Sequence, residues 1–244
     1  MHRTARLLVL LAALALGSAS SIAEQRLAAH AEPLADARAV AQAFYETYGE
    51  QLGLPDAPFV TLGVESGPGY AYEPAHNVLF VTPFRDADFD TQRHFARAAS
   101  DDREAEVYNA LMFRFFTAHE CLHLLYDRLP MRSDLSDFER ETRINVLTWL
   151  FLEQHGLLPT NLDEIDATLR ALGEDVAGRF PSIRRGEATA ATLVVDDNAS
   201  YWYVTAASIR EARAVAAQVE DTKAYATRIA EADRAAAAPA EAKL

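Results

Sequence analysis

Five consecutive residues of this 244-residue chain have types and spacing that could do chemistry: His119-Glu120-Cys121-Leu122-His123. On a helix, positions i and i+4 project from one face, so both imidazoles can reach a single metal ion. Two neutral nitrogens at about 2.0–2.1 Å suit Zn2+. Glu120 stands beside the first imidazole. From there it can reach a bound water without ligating the ion, take its proton and pass it to a leaving amine. Chance gives such a pattern on the order of one time in a hundred in a chain of this composition. Two histidines one turn apart in an apolar stretch are also costly unless something offsets their desolvation.

A catalytic zinc takes a third protein ligand and keeps a fourth position open for water. The candidates that follow are Glu139, Glu141, Glu153 and His155. Glu141 is preferred because it shares a helix face with Asn145 and Thr148, which places an amide one turn away to orient a ligand. Glu139 has a competing use as a helix-capping acid. Oxyanion stabilisation needs a further donor, commonly Tyr or His, and Tyr201, Tyr203 and His155 are available. The plainer reading of Tyr201-Trp202-Tyr203 is a packing cluster. Cys121, the only cysteine, points away from the metal face and reads as a small core residue; no intramolecular disulfide can form.

These residues must be held by elements that the hydrophobic pattern already outlines. Residues 101–128 form the strongest helix, acidic in its first turn and apolar on nearly every side, as expected of a helix running through the middle of a protein. A second helix is predicted over 136–154, with Ser136 and Glu139 as a capping box and Gly156 as its stop. Earlier, residues 33–52 repeat Val40, Phe44, Tyr48 and Leu52 at helical spacing. Residues 59–64, 69–72 and 77–82 are short runs of β-branched and aromatic residues, read as a small antiparallel sheet. Residues 83–100 read as a surface loop with a helical turn. Later come a helix over 161–172, a loose 173–186, a strand-like 192–195 and a long Ala-rich helix over 206–230. The fold class expected is α+β, mainly helical and zincin-like, with the small sheet preceding the active-site helix.

Composition bounds the rest. Asp and Glu number 36 against 23 Lys and Arg, a net charge of −13, which argues against nucleic acid as a partner. Residues 1–23 carry Arg3 and Arg6, an apolar run of ten and a small-residue cleavage site at Ala23, and so read as a signal peptide. Ten apolar residues are too few to span a bilayer. The organisation expected is residues 1–23 as signal peptide, 24–232 as one domain and 233–244 as a disordered tail. The protein is then exported, periplasmic or secreted, with no stable membrane insertion.

With Glu141-Thr142-Arg143-Ile144-Asn145 following, His119 to His123 resembles the gluzincin pattern, H-E-x-x-H with a later E-x-x-x-D or N. Within that group the chain most resembles exported bacterial metallopeptidase-like proteins, over about residues 70–152. The resemblance implies a zinc-dependent peptidase with one Zn2+ per chain on His119, His123 and Glu141, Glu120 as catalytic base, and a peptide or polypeptide as substrate. It further implies a sheet edge that pairs with extended substrate, for which Asn77, Val78, Leu79 and Phe80 are the candidate strand; a core strand is the equal alternative. Two other readings stay open: a zinc amide hydrolase acting on cell-wall peptides, and a metal-stabilised binding protein without turnover.

Overall fold

The computed structural model describes residues 27–237 apart from 29, 64–69, 101, 129–134, 187, 194, 196 and 220. The predicted signal peptide lies outside the described residues. The chain opens with α1 (Ala31–Leu52), whose buried face is Leu34, Ala37, Val40, Ala41 and Phe44, and which ends where Gly53 takes a left-handed φ of 67°. Three strands follow: β1 (Phe59–Leu62), β2 (Tyr70–Glu73) and β3 (Val78–Val81).

The sheet is mixed, not antiparallel as expected. Its order is β1-β3-β2, with β1 parallel to β3 and β2 antiparallel to it. A second correction follows. The strand that includes Val78, Leu79 and Phe80 is central and hydrogen-bonded on both sides, and Asn77 also lends its carbonyl to the Phe59 amide at 2.9 Å. It therefore cannot be a substrate edge; of these three strands the edges are β1 and β2.

Residues 83–100 hold more helix than predicted. A 3-10 turn (Phe84–Asp86) leads into α2 (Phe89–Ala98), which is capped by the Asp88 carboxylate accepting from the Thr91 amide at 2.9 Å. The central helix α3 then runs as one rod from 104 to 126 in three parts: α-helix Glu104–Ala110, a π-helical stretch Leu111–Phe116, and α-helix Thr117–Tyr126. Its buried residues lie on all sides, among them Val107, Tyr108, Leu111, Met112, Phe113, Phe115, Phe116, Cys121 and Leu122, so it is the axis of the core as expected. Each such side chain, fully buried, contributes roughly 1.5–3 kcal/mol.

Helix α4 (Asp137–Gln154) begins with the predicted capping box. Ser136 accepts from the Glu139 amide and Glu139 accepts from the Ser136 amide. Gly156 at φ 65° follows it. Helix α5 (Leu162–Ala177) runs through Gly173, where a break was expected, and the short α6 (Pro181–Arg184) follows. Residues 190–192 form a turn, closed by Leu193 N–H to the Thr189 carbonyl at 2.9 Å, where a strand was expected. The Ala-rich segment is two helices. α7 (Asn198–Ala216) starts eight residues earlier than predicted because Asp197 and Ser200 cap it reciprocally, and α8 (Thr222–Ala237) follows. Residues 233–237 are helical and Asp233 is buried, so the tail does not begin at 233; 238–244 lie outside the described residues. The architecture is mainly helical α+β, with α4 packed chiefly on α7 and α3.

Candidate metal centre

Three nitrogen and oxygen atoms from two helices meet at one point. His119 and His123 stand on one face of α3, one turn apart, and their Nε2 atoms are 3.0 Å from each other. Glu141, near the start of α4, brings Oε2 to 3.2 Å from His119 Nε2 and 3.6 Å from His123 Nε2. Ligands held at about 2.0–2.1 Å in a tetrahedron are about 3.3–3.4 Å apart. The donor triangle has the size that Zn2+ requires. Glu120 stands further off, its Oε1 4.0 Å from His119 Nε2, yet it offers a carboxylate oxygen within 4.8 Å of a nitrogen of each imidazole, so His119, Glu120 and His123 by themselves also form a group that could hold an ion.

Hydrogen bonding decides which nitrogen of His119 is free. Ser208 Oγ, on α7, donates to the Thr205 carbonyl at 3.0 Å, which leaves its lone pairs to accept from Asn145 Nδ2 at 3.0 Å. Asn145 Oδ1 therefore faces His119 Nδ1 at 2.8 Å, and Nδ1 must carry the proton. The Nε2 lone pair of a neutral His119 is thus aimed at Glu141 and His123. A proton could relieve one such contact at a time; a divalent cation relieves all of them together.

The charge environment agrees. Burial by itself would raise the Glu141 carboxyl, but imidazoles that take up protons on the nitrogens facing it pull it well below the usual carboxylate range, so a positive charge at this point, proton or metal ion, keeps it ionised. Burial would lower His123, and the carboxylates of Glu141, Glu120 and Asp127 outweigh it and hold that imidazole above its ordinary value. Glu141 Oε1 turns outward, 3.6 Å from Arg140 Nε. An ionised Glu141 is the form a metal ligand needs.

Elements beyond the two helices complete the surroundings. The π-helical stretch just before Thr117 places Phe115 and Phe116 against His119, with ring centroids 6.4 and 6.0 Å away. Trp149 on α4 donates its indole N–H to the Ile209 carbonyl at 3.2 Å, which fixes α7 so that Ser208 meets Asn145. From the sheet, Tyr70 on β2 stacks on Phe116 at 4.2 Å and sets its ring edgewise to His119 at 6.3 Å. Its hydroxyl is hydrogen-bonded to that of Tyr201 on α7. Burial, followed by the neighbouring phenol and the Glu120 charge, raises Tyr70 well above its ordinary value, and burial likewise raises Tyr201, so both hydroxyls keep their protons. Residues from α3, α4, α7 and β2 enclose a cavity of about 150 Å³ against His119 and Glu141.

The predicted residues sort cleanly. His119, Glu120, His123, Glu141 and Asn145 come together, and Tyr201 lines the same cavity. Tyr203 does not reach it; it lines a different depression with Leu169, Arg170 and Arg210. His155 is also elsewhere, paired with Thr47 Oγ1 at 3.2 Å and packed on Phe151. Glu139 is spent in the capping box, and Glu153 is exposed on the last turn of α4. Cys121 is fully buried away from the imidazoles, and burial raises its thiol far above the ordinary range. Tyr70 and Ser208 escaped the sequence reading. A larger cavity, about 670 Å³, lies between α1, the end of α4 and α8, away from the imidazoles.

Compared with family models, with curated proteins and with solved structures, the chain matches none of them. The functional reading therefore rests on the site itself.

Proposed function

We propose that the chain is an exported zinc metallopeptidase in which His119, His123 and Glu141 hold one Zn2+ and Glu120 is the general base and then the general acid. One observation carries the reading: three donor atoms form a triangle of 3.0, 3.2 and 3.6 Å, with the His119 lone pair turned into it by Asn145. The bound ion would polarise a scissile carbonyl and acidify a water. Glu120 would take a proton from the attacking water on a carboxylate oxygen and hand it to the departing amine nitrogen. Asn145 holds the His119 proton on Nδ1, so that Nε2 is the nitrogen turned to the ion, and the Ser208 hydroxyl keeps Asn145 from turning over. Of the two phenol protons at Tyr70 and Tyr201, one is used between them. The other is left to bond the carbonyl oxygen as charge builds there.

Three protein donors beside a cavity favour turnover over a purely structural site, which four protein ligands usually close. Export rests on the character of residues 1–23. No helix among the described residues is long and apolar enough to cross a membrane. The test is Glu120→Gln: zinc is retained, and hydrolysis of a fluorogenic peptide library falls by about 10²–10⁴-fold. Undiminished turnover in a zinc-loaded Gln variant removes Glu120 from the role.

A further inference from the structure

The cavity beside His119 and Glu141 has a size and a lining that select what can lie next to the reacting bond. At about 150 Å³ it is the volume that accepts one benzene-sized group. Phe116, Phe138, Val195, Val204 and the rings of Tyr70 and Tyr201 supply its apolar wall. Most of its polar members are engaged with one another, with Glu141 turned to the imidazoles and the Thr205 hydroxyl bonded to Tyr201. Asn145 gives its amide N–H to Ser208 and its oxygen to His119, and Ser208 gives its hydroxyl to Thr205. The Tyr70 and Tyr201 hydroxyls are bonded together. Asp137, at the rim, is exposed and paired with Arg140 at 3.1 Å.

A side chain entering this space gains mostly apolar contact, while a polar one of equal size gives up its water and meets few open donors or acceptors, the phenol proton left over at Tyr70 and Tyr201 being taken by the substrate carbonyl. We infer that the cavity is a specificity pocket for a single branched-aliphatic or monocyclic aromatic side chain, so that the substrates are peptides with Leu- or Phe-like residues beside the cleaved bond. This rests on the peptidase reading and names its substrate class. Val195, about half exposed, marks the mouth through which the side chain enters.

The test measures binding, not turnover. Zinc-loaded Glu120→Gln protein is titrated calorimetrically with acetyl-Ala-Ala-Xaa-Ala-Ala-amide, Xaa being Gly, Leu, Phe, Asn or Glu, so that one residue only can seat and the register is free. Leu and Phe should bind about tenfold to a hundredfold tighter than Gly, and Leu should exceed the nearly isosteric Asn by a similar factor. Val204→Phe fills the space and should erase that advantage while zinc still binds one per chain. Phe138→Ala enlarges it and should move the preference towards Trp, which keeps the test decisive if the Phe variant folds poorly. Equal binding of Leu and Asn, or an advantage untouched by both variants, overturns the pocket and leaves the zinc reading standing. An advantage for Leu in protein that takes up no zinc overturns the peptidase reading and leaves the pocket.

Discussion

Two carboxylates at α4, Glu141 on the helix itself and Asp233 packed against it, are balanced in opposite ways. Asp233, from α8, is buried and grips Arg143 with both oxygens, at 2.7 and 3.1 Å. Glu141, two residues from that arginine, points Oε2 at two imidazole nitrogens, one of which shows it a lone pair. The first arrangement is complete within the chain: a guanidinium fork matches a carboxylate, and the pairing raises Arg143 further still. The second brings two imidazoles onto one carboxylate oxygen, while the Arg140 guanidinium stands at the other oxygen, 3.6 Å away. One cluster joins α8 to the core. The other is the place where, on the reading proposed above, an ion would complete the arrangement.

Substitutions should separate the two clusters sharply. The largest effect is expected at Glu141: Glu141→Gln should lower zinc affinity by about a hundredfold or more in a chelator competition, since even outer-shell partners carry 10–100-fold. Its stability without zinc should change little. Zinc at a hundred times its Kd should stabilise the unaltered protein by about 2.7 kcal/mol, and this gain should vanish in the variant. Asp233→Ala should behave in reverse, costing about 3 kcal/mol in denaturant unfolding with or without zinc, because it strands a guanidinium. If Asp233→Ala lost only the zinc-dependent part, the contrast between the clusters would be wrong.

Smaller effects sharpen the account of His119. Asn145→Ala should weaken zinc by 10–100-fold, and Ser208→Ala by less, about tenfold, since the amide keeps its bond to Nδ1 but loses the brace that orients it. The smallest change is expected at the start of α7. The Ser200 backbone N–H, then its hydroxyl, holds the Asp197 carboxyl below its ordinary value. Its contribution is therefore full above the unfolded value near 3.9 and is lost as pH falls through the lower folded value. Asp197→Ala should cost about 1 kcal/mol at pH 7, with the difference closing in strong acid.

How much of this was legible in the sequence follows from the range of the interactions. The α3 axis, the motif on it, the Ser136–Glu139 cap and the face shared by Glu141 and Asn145 are patterns within one helix, where spacing fixes direction. What escaped is non-local. Parallel pairing of β1 with β3 passes over β2, and nothing within those short runs encodes the order, so the sequence leaves edge and core readings of the central strand equal. Tyr70 and Tyr201 are 131 residues apart, and Asn145 and Ser208 are 63 apart; packing of α7 on α4 joins the second pair, and the first also needs β2 laid against the central helix. Where local cues were misjudged, a cap was overlooked: Asp88 before Thr91 and Asp197 before Ser200 both announced helices.

The central claim is that the triangle of His119, His123 and Glu141 holds a divalent ion. Native mass spectrometry of the purified protein, read beside His123→Ala and Glu141→Ala, tests it most directly. One zinc per chain in the unaltered protein, lost or greatly weakened in both variants, is the result predicted here. A protein that takes up no zinc after reconstitution, or holds it equally well without His123 and Glu141, would contradict it.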